Sequence, residues 1–122
     1  MKHSAAILYA ILIITLLYFS CSREEFGGLG IEVPSGQGLV TDESPYRIVS
    51  VFEGGTGHGA GLKDGDIILS VDGKKLINRK HDSIVNGLLR GRVGSIVLLE
   101  VKRGDEVLSY AIQRGKVVLS NE

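Results

Sequence analysis

The sequence predicts an α+β domain of five to six short strands behind a short apolar leader. Three observations carry this expectation. Runs rich in β-branched and aromatic residues, 46–52, 67–71, 96–101 and 107–113, are separated by turns containing glycine or proline. Between the second and third runs, Ile84, Val85, Leu88 and Leu89 recur at i, i+1, i+4 and i+5, the stripe of one short amphipathic helix. The charges balance, 14 basic against 14 acidic in 122 residues, which argues against a polyanionic partner. Tryptophan is absent and aromatic residues make up 6%, so no platform for stacking bases is expected either.

The chain opens with positive charge, Met1-Lys2-His3-Ser4, and residues 5–19 are apolar or aromatic apart from Thr15. That run holds 15 residues, short of the roughly 20 a spanning helix needs, so residues 1–20 are expected to act as an export signal. It ends in Leu16-Leu17-Tyr18-Phe19-Ser20-Cys21, which resembles the lipobox of bacterial lipoproteins. The resemblance implies lipidation of Cys21, the single cysteine, and a mature chain anchored in a membrane. Tyr18 and Phe19 depart from the strict motif and resemble its looser spirochaetal forms. A plain signal peptide or an uncleaved anchor remains open. Each buried methylene of an acyl chain contributes about 0.8 kcal/mol, so several chains on one cysteine hold a protein firmly. Ser22 stands where an aspartate resembles an inner-membrane retention signal, which favours the outer membrane or the periplasmic face. Residues 21–25 then form the lipidated cysteine and tether, 26–119 the domain, and 120–122 a tail.

The domain starts with Phe26-Gly27-Gly28-Leu29-Gly30-Ile31-Glu32-Val33. Glycines at this spacing permit φ > 0 and leave backbone N–H groups unobstructed, so the turn can hold an anion. If the anion is a peptide's terminal carboxylate, the strand that follows, 30–33, is placed to pair with the peptide's backbone. Pro34 ends that strand early, because proline has no N–H to give a ladder. Residues 39–45 read as loop and 46–52 as one strand.

Next come Ala60-Gly61-Leu62-Lys63-Asp64-Gly65-Asp66, the apolar strand 67–71 and the turn Asp72-Gly73. Together these resemble the signature of PDZ domains, and Gly28-Leu29-Gly30-Ile31 is similar to that family's Gly-Leu-Gly-Phe turn, with isoleucine for phenylalanine. The resemblance implies a partly open antiparallel β-barrel with two helices. Arg90-Gly91, Gly94-Ser95 and Lys102-Arg103 most resemble the PDZ domains of bacterial carboxy-terminal processing proteases. Residues 116–119 are expected as a last strand. With no room for a strand ahead of the glycine turn, they are the candidate to take that place, as in the circularly permuted bacterial arrangement. Thr56 and Gly57 stand where the family commonly has proline and alanine, a departure expected to weaken the first helix without touching the groove.

The resemblance also implies a site. Gly28, Leu29, Gly30 and Ile31 would bind a peptide carboxylate. Ile31, Val33, His81, Val85, Leu88 and Leu89 would line the groove, with Leu29 adding to the pocket for the last side chain. A histidine at position 81 resembles the class preferring Ser or Thr two residues before the peptide's end; an exposed helix-terminal histidine is the competing reading. Arg23 is a candidate support for the carboxylate, or simply tether. Asp66 is expected to serve as a turn acceptor rather than a catalyst.

Chemistry is not expected. A catalytic domain of the Ser-Lys or Ser-His-Asp kind needs far more sequence than lies outside 26–119. His58 and His81 fall in different elements without a second ligand at metal spacing, so neither a metal nor another cofactor is expected. Arg103-Gly104-Asp105 is an integrin-adhesion tripeptide, but charged residues with glycine are also what a hairpin turn uses, and the turn reading is preferred. The expected function is non-catalytic capture of the C-terminus or an extended segment of another envelope protein. A scaffold or secretion-complex component docking through another face, with residues 36–45 folded over the groove, is the alternative. An accessory subunit presenting substrates to a separate protease is a third.

Overall fold

A computed structural model describes residues 26–116 of the chain. The leader 1–20, Cys21, the tether with Arg23 and the segment 117–122 lie outside the described residues, and with them most of the expected strand 116–119. The elements are β1 (Phe26–Gly28), β2 (Ile31–Glu32), β3 (Ser50–Val51), α1 (Thr56–Ala60), β4 (Ile67–Val71) and β5 (Lys74–Lys75). They continue with α2 (His81–Ile84), which runs on into a π-helical turn (Val85–Leu89), then β6 (Gly91–Arg92), β7 (Ile96–Arg103), β8 (Glu106–Gln113) and β9 (Gly115–Lys116). Among the described residues the strand pairings are antiparallel and form three sheets, β5-β4-β7-β8, β6-β1-β9 and β2-β3, with no closed barrel.

The four-stranded sheet supplies most of the core. Alternation along β7 turns Val97, Leu99 and Val101 inward and leaves Ile96 and Leu98 exposed, the period of a half-buried strand. In β4 the buried positions are Ile68 and Val71, three apart instead of two, because a bulge shifts the register against β7 between Ile68 and Ser70. One extra residue on the bulged strand resets which side chains face in. Asp72 (φ 50°) and Gly73 (φ 79°) make the tight turn to β5, as a two-residue hairpin with both residues left-handed requires.

Three expectations change. Residues 46–52 do not form one strand. Tyr46 and Ile48 pair with the start of β4, through Ile68 N–H to the Tyr46 carbonyl at 2.9 Å and Ile48 N–H to the Asp66 carbonyl at 2.8 Å. Ser50 and Val51 pair instead with β2. The segment switches partners at exposed Val49, and the Asp64 carboxylate takes the Val51 N–H at 2.7 Å.

The glycine turn does begin with a strand of its own. β1 lies between β6 and β9, and Gly115–Lys116 pairs beside it, while the rest of the expected strand 116–119 lies outside the described residues. Glycine makes this possible, since a Cβ on Gly27 would sit 2.8 Å from Arg114 Cβ. The predicted helix is also in two parts. The Arg90 N–H donates to the Val85 carbonyl, five residues back, and the widened turn lets both Ile84 and Leu89 face the core.

Candidate functional site

β1 and β2 are joined by Leu29 and Gly30, and this corner is held by contacts distant in sequence. The Leu29 carbonyl accepts the Gly57 N–H at 2.8 Å, which aims it at α1. A trans peptide unit points its C=O and N–H in opposite directions, so the Gly30 N–H faces away from α1. The Gly30 carbonyl accepts the Phe52 N–H at 2.9 Å, and by the same geometry the Ile31 N–H faces away from β3. Gly30 has φ of +67°, the left-handed value that turns successive N–H groups to one side as an anion-binding nest. A Cβ there would meet Gly55 Cα at 3.0 Å, so close packing as well as dihedral angle demands glycine. The Glu32 carbonyl accepts the Val49 N–H at 2.8 Å, which leaves the polar groups of Ile31 and the Val33 N–H on the edge away from β3.

That edge opens on a cavity of about 500 Å³. Gly28, Leu29, Gly30, Ile31 and Val33 form one wall, and Val85 and Leu89 of the π-helical turn form the facing apolar wall. The sequence reading did not foresee the rest of the lining. Phe52, Gly54, Gly55 and Thr56 close the side toward α1, and Arg90, Gly115 and Lys116 stand at the end nearest the glycine turn. Both charged residues of the lining are basic among the described residues. Among the described residues the buried Thr56 hydroxyl has no hydrogen-bond partner. Thr56 therefore lines the cavity and Gly57 bonds its corner, correcting the expectation that neither touches the groove. The paired glycines before α1 were the available signal, because a Cβ on Gly55 would meet Gly30 Cα at 3.1 Å.

Two predicted groove residues lie elsewhere. Leu88 is half-buried against the hydrophobic core and does not line the cavity. His81 is 9% exposed, its ring centroid 5.7 Å from that of Tyr46, and it too is absent from the lining. Its N–H donates to the Gly38 carbonyl at 3.0 Å. Residues 36–40 are therefore docked on the start of α2, and the cavity beside Val85 and Leu89 is left open. Asp82 completes that docking, accepting the Gly36 N–H at 2.8 Å and donating its own N–H to the Gly36 carbonyl at 3.1 Å.

The wall formed by the π-helical turn is fixed from behind by Arg114, which is buried. Its Nε donates to the Leu89 carbonyl at 2.9 Å, its Nη2 to the Leu88 carbonyl at 3.0 Å and its Nη1 to Ser95 Oγ at 2.9 Å. The guanidinium thus satisfies carbonyls that the end of a helix leaves unpaired. A Cβ on Gly91 would lie 2.7 Å from Arg114 Cζ, which accounts for glycine there.

Below the site, Asp66 holds the turn into β4. Its Oδ2 accepts the Lys63 N–H at 2.9 Å and Arg103 Nη2 at 2.7 Å, and its Oδ1 accepts Arg103 Nε at 2.8 Å. Burial pushes the Asp66 carboxyl up, but the hydrogen bonds from Arg103 and Lys63, together with their charges, outweigh it and hold the group below the usual range. Arg103, the last residue of β7, is thereby drawn off the hairpin tip, which the sequence reading did not foresee.

The family model for the PDZ domain matches residues 19–102. A probable CtpA-like serine protease of Staphylococcus haemolyticus is 30% identical over 93 residues, which cover 76% of this chain and 17% of that protein. The chain thus spans about a sixth of that relative's length. Among solved structures, the HtrA3 PDZ domain bound to a phage-derived ligand, FGRWV, superposes with a TM-score of 0.51 at 25% identity, covering 74% of this chain and 91% of that one. The PDZ domain of the carboxy-terminal protease of Vibrio cholerae, in complex with peptide, has a TM-score of 0.57 at 24% identity, covering 78% and 99%.

Proposed function

The chain belongs to the PDZ domain family, and from that premise we propose that it captures the free C-terminus of another cell-envelope protein without catalysing a reaction on it. The observation that carries this reading is the pair of successive N–H groups, on Gly30 and Ile31, turned by a left-handed glycine onto the open edge of β2. A terminal carboxylate seated there, with Leu29 giving a third amide, accepts short charge-assisted hydrogen bonds. Arg90 and Lys116 add positive charge at the same end of the cavity. The peptide backbone then pairs antiparallel with Ile31 through Val33. Its last side chain enters the space between Ile31, Val33, Val85 and Leu89, which suits an aliphatic or aromatic residue.

We further propose that Cys21 carries the lipid that anchors the domain, on the outer membrane or the periplasmic face. Metabolic labelling with an alkyne fatty acid checks this directly: label lost in Cys21→Ala supports it, and equal label in both contradicts it.

The groove is tested with Val85→Asp, at a half-buried position on the cavity wall. Affinity for free C-terminal peptides should fall by at least about tenfold, roughly 1.4 kcal/mol, with circular dichroism unchanged. Unaltered affinity would remove the groove from the account and favour docking through another face.

A further inference from the structure

We infer that β8 is a docking edge for a second copy of this chain, which pairs its own β8 there about a two-fold axis and joins the two four-stranded sheets. The inference stands apart from peptide capture, because no residue of β8 lines the cavity.

β8 ends the sheet β5-β4-β7-β8, and its register with β7 fixes where its backbone points. Leu98 gives its N–H to Asp72 Oδ1 at 2.9 Å, and its carbonyl takes the Asp72 N–H at 2.8 Å, so both groups face away from β8. Ala111, opposite Leu98, therefore turns its own N–H and C=O away from β7, as alternate residues of an antiparallel pair do. The same alternation turns out Val107, Ser109 and Gln113, while the Arg114 N–H points inward to the Ser95 carbonyl at 2.8 Å. Among the described residues no strand or hydrogen bond engages these four outward backbones. Tyr110, on the inner face, lies beside Gly61 just after α1, and that glycine has no side chain to cover the edge.

The two ends of the sheet decide what the edge accepts. At the far end β5 is two residues long, both exposed lysines, and residues 46–48 pair beside the start of β4. Short length, charge and cover are the devices that keep an edge from pairing. β8 has none of them: it runs for eight residues without lysine or proline, and its four outward residues are uncharged. A sheet with one edge closed in this way cannot add copies head to tail, so its symmetric solution is β8 against β8, an isologous dimer. The two-fold register that engages all four residues sets Val107 opposite Gln113, and Ser109 opposite Ala111, of the second copy, with about eight ladder hydrogen bonds. Val107, 57% exposed, then lies diagonal to Ala111 of the second copy, which is paired with Leu98, itself 56% exposed, so an apolar stripe continues across the junction.

The test uses the full chain in mild detergent. Sedimentation equilibrium from about 1 µM to about 200 µM should show the mass pass from one chain to two. Over the same range amide exchange at Val107, Ser109, Ala111 and Gln113 should slow by about tenfold or more, with a smaller change at Leu108, Tyr110 and Ile112, which already bond to β7. Ser109→Pro removes an outward N–H that β7 does not use, a change an edge strand tolerates; it should keep its circular dichroism and remain a single chain throughout. A single chain at every concentration of the unmodified protein overturns the inference. So does a pair whose four outward amides exchange as fast as in dilute solution, or a folded Ser109→Pro that still pairs. Slow exchange already present in the single chain overturns it too, since the chain then covers its own edge. If the proline variant does not fold, mass and exchange of the unmodified protein decide alone.

Discussion

The buried guanidinium of Arg114 donates from Nε to the carbonyl of Leu89 at 2.9 Å, so the segment joining β8 to β9 holds the end of the helix that walls the cavity. With Nη2 on Leu88 and Nη1 on Ser95, one side chain ties three otherwise separate stretches. Arg114→Ala leaves two helix-end carbonyls without that donor, at about 1–3 kcal/mol each when buried. Urea unfolding should show a loss of about 3 kcal/mol, and Arg114→Lys should recover less than half, because an ammonium cannot reproduce the planar fork. A loss below about 1 kcal/mol would show that the clamp is dispensable.

Acid should weaken the fold through Asp66. Its carboxyl is held below its ordinary value, after burial, by Arg103 and the Lys63 amide. A lowered folded value means that the contribution is present above the unfolded value of about 3.9 and is lost as pH falls through the folded one. Unfolding free energy measured from pH 7 down to pH 2.5 should therefore drop below about pH 4, and Asp66→Asn should be less stable at pH 7 with a shallower acid slope. Parallel slopes would remove Asp66 from the account.

Alkali should act through Tyr46. Burial first, and then the nearby charge of Asp82, raise its hydroxyl above the ordinary value. A raised folded value leaves stability intact below about pH 10 and takes it away above, because only the unfolded chain ionises readily there. The buried hydroxyl has no hydrogen-bond partner among the described residues, so Tyr46→Phe should change stability by no more than about 1 kcal/mol at pH 7 and flatten the decline between pH 10 and 11.5. A decline as steep as in the unmodified protein would contradict this.

Two glycines of α1 should respond in opposite senses. A Cβ on Gly57 would meet the Leu29 carbonyl oxygen at 2.8 Å, whereas nothing lies within 4 Å of one on Gly59. Gly59→Ala should raise stability by up to about 1 kcal/mol through helix propensity. Gly57→Ala should lower it despite the same gain, and should weaken peptide binding by shifting the corner that presents Gly30. Thermal melts of the two variants settle the signs.

Features carried by neighbouring residues were legible in the sequence. The Gly28-Leu29-Gly30-Ile31 turn and the Val85 and Leu89 stripe meet at one cavity, because each is set by local spacing and both converge on the same core. The Asp72-Gly73 turn is equally local. Features made by distant contacts were not legible. Periodicity shows that 46–52 is extended but not that its halves pair with different strands. His81 sits where the motif places it in sequence, yet the loop that covers it is fixed by Asp82 and Gly36, 46 residues apart. Thr56, Arg90 and Lys116 join the site through packing across the domain, and a single arginine at 114 carries no local sign that it will be buried beneath a helix end.

Binding of free C-terminal peptides, compared with the same peptides amidated, tests the central claim most directly. The full chain should bind peptides with an apolar last residue and lose at least about tenfold in affinity on amidation, because the neutral amide gives the Gly30 and Ile31 N–H groups a weaker acceptor and removes the charge facing Arg90 and Lys116. Equal affinity for the free and amidated forms would contradict carboxylate capture.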